Sequence, residues 1–197
     1  MGALAQAQLV LNPTIKEKQM NEERDRFGFP NKQAEVLEVI KTLEGIDYSD
    51  ETGMDKVKGL ALSVYDSVDN YANGSEPTVE QIAEFTIAMH KNMSFRDFIM
   101  GLPNDVDIDY VGEWVAFMGS VTPKEYAAPI VTIFAALLYE HEQPTEAQHH
   151  LEYAQELDPS YSLALLLKRV FEANWAPAAF VDMRTKLHPK VKEAIGI

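Results

Sequence analysis

Glu146 and His149 stand three residues apart. On a helix this spacing points a carboxylate and an imidazole the same way, as in helical di-iron sites. Such a centre draws its other ligands from facing helices, and the chain holds no second Glu-x-x-His pair. Ala147 and Leu151 claim the inward face of the same stretch, so no metal ligand is assigned. His149 and His150 are adjacent, about 100° apart on a helix, and do not converge on one ion; both are expected at the surface. Asp105, Asp107 and Asp109 alternate as in a calcium loop. An EF-hand then requires a glycine next and a glutamate at its twelfth position, where this chain has Tyr110 and Ala116. A solvated loop in which Asp107 or Asp109 caps the following helix accounts for the pattern.

Other chemistries lack their residues. Asn73-Gly74-Ser75 has one glycine and no Gly-Lys-Ser/Thr ending, so it is no phosphate loop. Ser120 follows Gly119 without the later glycine of a nucleophile elbow. Ser63 and Ser67 fall inside a helix at positions that suit the surface. Trp114 and Trp175 are expected in the core or in hairpin packing. The chain has no cysteine, which removes disulfides, thiol catalysis and thiolate metal sites and suits a reducing cytoplasm. No catalytic residue, cofactor or metal is therefore expected, and the chain reads as a non-enzyme.

The elements that would position any site are helices. Asn31–Glu44 places Ala34, Leu37, Ile40 and Leu43 on one face. An acidic loop, Asp47 to Gly53, leads to a helix over Asp55–Tyr71 with Val57, Leu60, Ala61, Val64, Tyr65 and Val68 at helical spacing. Thr78 and Gln81 form a capping box for Thr78–His90. A short helix follows over Ser94–Gly101, then one over Val106–Gly119 through Val111, Trp114, Val115 and Met118. Thr122-Pro123-Lys124-Glu125 combines a cap, a first-turn proline and an acidic third position, and predicts a helix to Tyr139. Further helices are read from Pro144 to Leu157, Ser160 to Ala173, Pro177 to Leu187 and Pro189 to Ile195. Ala3–Lys18 is ambiguous and Lys16–Arg26 is strongly charged, so residues 1–30 read as an arm or weak helix. Residues 31–197 read as a single helical domain, with a helix pair at 31–77 and the remainder at 78–197. No run alternates as a strand does.

Ala128–Tyr161 reads as a helical hairpin. Ala135 and Ala147 permit close approach, and Phe134, Leu138 and Leu151 fill the surrounding space. The spacing is similar to one tetratricopeptide repeat of about 34 residues. The next stretch breaks it, because Lys168, Arg169 and Glu172 fall where small and apolar residues should recur. The fold expected is all-α, a compact multi-helix bundle with a tetratricopeptide-like helix-turn-helix in the C-terminal half.

Ser94-Phe95-Arg96-Asp97, Ala127-Ala128-Pro129, the run from Ala147 through Asp158-Pro159-Ser160-Tyr161-Ser162-Leu163-Ala164, and Trp175-Ala176-Pro177 together resemble the actinobacterial domain-of-unknown-function family 4192. The resemblance spans residues 80–181. It departs in two places: the strand-bearing N-terminal region usual in the family is not visible, and Glu142-Gln143-Pro144-Thr145 replaces the usual hairpin glycine. The resemblance implies an actinobacterium or one of its phages as the source, and it brings no activity and no site residues.

The 197 residues carry 31 acidic and 17 basic side chains, a net charge of −14. Residues 1–30 are neutral, residues 31–158 carry −17 and residues 159–197 carry +3. So acidic a body excludes a generic binder of nucleic acid or of anionic membrane. The start has no basic n-region and no long apolar run, and no apolar stretch approaches the roughly 20 residues of a membrane span; a cytoplasmic protein is expected. Two functions are compatible with these features. One is a helical module that binds a protein partner, with Phe134, Tyr139, Tyr153 and Phe171 as candidate contact residues. The other is an acidic DNA mimic or decoy that occupies the groove of a nucleic-acid-binding partner.

Overall fold

Between Val36 and Ile195 most of the apolar residues that recur three and four apart lie on helices. A computed structural model describes residues 29–197 of the chain, and among them are nine α-helices and no strand. The reading of residues 1–28 lies outside the described residues. The helices are α1 (Phe29–Leu43), α2 (Glu51–Ala72), α3 (Val79–Lys91), α4 (Met93–Gly101), α5 (Ile108–Val121), α6 (Ala128–Glu140), α7 (Pro144–Leu157), α8 (Ser162–Glu172) and α9 (Pro177–Ile195). Single 3₁₀ turns, Leu102–Asn104 and Lys124–Tyr126, precede α5 and α6.

The centre is α6. All twelve residues from Ala128 to Tyr139 are buried, the signature of a helix enclosed on every side. Its two hydroxyls are both bonded: Thr132 Oγ1 donates to the Ala128 carbonyl at 2.7 Å and Tyr139 to the Trp175 carbonyl, so enclosure strands neither. Helices α5, α7, α8, α9 and α4 surround it, and α7 returns along it as a hairpin. At that interface Phe134, Ala135, Ala147, Leu151 and Ala154 are fully buried. Each fully buried Phe or Leu side chain favours the fold by about 1.5–3 kcal/mol. A second apolar layer joins α1, α2, α3 and α5, where Trp114 is enclosed and donates from Nε1 to Ser67 Oγ at 3.0 Å.

Several sequence expectations are corrected here. Helix α1 turns Val36 and Ile40 inward and leaves Ala34 exposed, so its buried stripe is rotated from the one read. Helix α2 starts at Glu51 rather than Asp55, because Asp50 accepts from the Gly53 amide at 2.7 Å and serves as its cap. Gly53 is required there: a Cβ would lie 1.9 Å from the Asp47 carbonyl oxygen. The cap of α4 is Asn92 instead of Ser94, accepting from Phe95 N at 2.9 Å. Thr122 ends α5 and does not begin α6; its hydroxyl donates to the Met118 carbonyl at 2.7 Å. Pro129 explains the break, since it has no amide to offer Glu125 and its ring would strike that carbonyl. Helix α6 therefore starts afresh with Pro129 in its first turn. At the C-terminus α9 continues through Pro189 as one helix. Pro189 is exposed, which lets the unpaired carbonyl one turn earlier face water. The Thr78–Gln81 capping box is present as read, with bonds of 3.2 and 3.0 Å.

Candidate functional site

The four candidate contact residues do not form one exposed patch. Phe134 is fully buried against His150, ring centroids 5.1 Å apart. Tyr139 and Phe171 are buried and stack nearly parallel at 3.8 Å, and Phe180 meets both edge-on. Tyr153 is half-buried against the core. Three of the four are thus internal. The physical reason is that α7 covers Phe134 through His150, while Phe180 of α9 packs against Tyr139 and Phe171.

That aromatic nest supports a different surface. The Tyr139 hydroxyl donates to the Trp175 carbonyl, and the Trp175 amide bonds to the Val170 carbonyl. The turn between α8 and α9 is fixed by these bonds, with Asn174 at φ 51°. Trp175 is 46% exposed, with Leu166 at 55% and Leu165 at 39% on α8. Ala176, Ala178 and Ala179 continue the surface and are exposed. Of the two tryptophans expected in the core or in hairpin packing, Trp114 is enclosed, whereas Trp175 is exposed at the α8–α9 turn. Large exposed apolar side chains fixed on an ordered backbone are a docking feature.

A polar cluster lies at the other end of α9. Asp105 Oδ2 accepts from Tyr65 Oη at 2.6 Å and Lys192 Nζ at 3.1 Å, and it lies 2.9 Å from His188 Nε2. Partial burial pushes this carboxyl up, but the hydrogen bonds from Tyr65, His188 and Lys192 outweigh it and hold the pKa down at about 2. His188 is buried and stacks on Phe98. Its other nitrogen lies over Gly101, where a Cβ would come within 2.0 Å of it. A reader of the sequence would miss this cluster, since its members come from α2, the α4–α5 turn and α9, and no local spacing joins them. Asp107 caps α5, accepting from Asp109 N at 2.9 Å, so two of the three alternating aspartates serve separate structural ends.

Two further expectations are corrected. His150 is fully buried, with Nδ1 2.9 Å from the Glu146 carbonyl, and burial pushes its pKa down. Ser67 is buried as the acceptor for Trp114. Among the described residues no group of three or more His, Asp or Glu side chains could hold a metal ion. Among them also, no helix is long and apolar enough to cross a membrane.

A protein-family model described as Domain of unknown function (DUF4192) matches residues 17–178. The chain belongs to this family. The match begins well before residue 80, where the resemblance read from the sequence starts, so DUF4192 takes in α1 and α2 as well as the hairpin. Its end at 178 takes in Trp175 and leaves most of α9 beyond it. No curated protein and no solved structure matches the chain.

Proposed function

We propose that this DUF4192 chain is a non-enzymatic helical module that docks a protein partner on α8 and the turn that leads into α9. The observation that carries the reading is the exposed Trp175 at a turn whose backbone is fixed by the Tyr139 and Val170 hydrogen bonds, with Leu165 and Leu166 also exposed on the preceding helix. An exposed aromatic together with exposed aliphatic side chains is the composition of an interface anchor. The reading as a non-enzyme is supported by how the His188–Asp105 pair is used. His188 is clamped between Asp105 and Gly101, an arrangement that holds the imidazole in place as packing rather than turning it toward a nucleophile.

The test is affinity capture with the full chain as bait from an actinobacterial lysate, the source that the resemblance suggests. Wild type is compared with Trp175→Ala and Leu166→Glu, each at low and high salt. A partner retained at high salt by wild type and lost from both variants supports apolar docking. A basic nucleic-acid-binding partner captured only at low salt, and equally by all three proteins, would replace this reading with acidic mimicry.

A further inference from the structure

Helices α4 and α9 line a cleft of about 230 Å³. Its walls are mainly apolar, with Met100, Met183, Leu187 and Val191 among them. Arg184 and His188 also line it, one helical turn apart on α9. Arg184 is 6% exposed and grips Glu140 of α6 through Nε and Nη2, at 2.6 and 2.7 Å. Its remaining nitrogen, Nη1, is buried and has no hydrogen-bond partner among the described residues. A buried guanidinium N–H without an acceptor is unfavourable. The group is held in place by its other two nitrogens, so it cannot turn to find one.

We infer that this cleft binds a small amphiphilic carboxylate, whose oxygen reaches buried Arg184 Nη1 as the flexible lining shifts aside and whose hydrocarbon part lies among the methionine and leucine side chains. The planar guanidinium suits a carboxylate. The Glu140 carboxylate neutralises Arg184 on its far side, and Asp97 at the cleft is paired with Arg96 at 2.6 Å. Lys190 lines the cleft as well, which leaves the local balance in favour of an anion. Flexible Met100 and Met183 side chains can shift to admit the ligand. The volume lies below the ~300–1,000 Å³ of drug-sized sites, so the ligand is short, of the size of an eight-carbon acid. This inference does not depend on the docking face.

The probe is sodium octanoate, titrated calorimetrically into the full chain, with octylammonium chloride as the matched cation. Octanoate is expected to bind saturably with a Kd on the order of 1 mM or tighter, and octylammonium at least about tenfold more weakly, because it brings a cation to Arg184. Ala194 lines the cleft and is exposed, so Ala194→Trp obstructs the cleft without disturbing the core. Its thermal melt is expected to match wild type while octanoate affinity falls at least about tenfold. Equal binding of octanoate and octylammonium, unchanged octanoate binding in a folded Ala194→Trp, or no saturable octanoate binding would each overturn the assignment.

Discussion

On α7, Ala147, His150, Leu151 and Ala154 fall on one stripe, and all four are buried. His150 is therefore enclosed with an imidazole that prefers to be neutral. Because its pKa is lower folded than unfolded, acid protonates the unfolded chain first. The stability it contributes is present above the ordinary value of 6.5 and is lost as pH falls below it. Urea midpoints measured from pH 7.5 to 5 are expected to decline in wild type and to decline less in His150→Phe; half-exposed His90, also shifted down by burial, leaves a residual slope. Asp105 behaves alike in a separate window. Its carboxyl is held at about 2 against an ordinary 3.8, so its contribution is intact above about 4 and lost as pH falls toward 2. Solvent screening at this partly exposed group limits the effect to about 1 kcal/mol. Asp105→Asn is expected to remove that acid dependence.

At the scale of elements, the sequence carries most of the helices and misplaces several of their ends. Periodicity finds α2, α3 and α5 because one face of each is core, and the capping box at Thr78 marks a start that no tertiary contact overrides. The start of α6 is misread because Thr122 and Pro123 carry a start signal of their own, while Pro129 downstream decides the outcome. The candidate contact aromatics were legible as large apolar residues but not as internal ones, since residues distant in sequence or on the next helix cover them: Phe180 packs on Tyr139 and Phe171, and His150 on Phe134. The Asp105 cluster was illegible, as it spans residues 65 to 192. One element-scale prediction follows from Pro189, which interrupts the α9 hydrogen-bond ladder from an exposed position. Pro189→Ala restores an amide and removes a ring clash, and it is expected to stabilise the chain by about 1–3 kcal/mol, read as a higher urea midpoint with an unchanged slope.

For the whole molecule, an enclosed α6 fixes the surrounding helices, and two surface features adjoin α9. One is the Trp175 turn, apolar and outward; the other is the cleft against α4, apolar with a buried guanidinium. The acidic charge lies chiefly on residues 31–158, apart from the turn, where it favours solubility and discourages anionic partners. Hydrogen–deuterium exchange on the captured complex tests the docking face most directly. Protection is expected to concentrate on the peptides covering residues 162–179, with the acidic loop at residues 47–55 unchanged. Protection of the acidic loop, with residues 162–179 exchanging as in the free chain, would contradict the assignment.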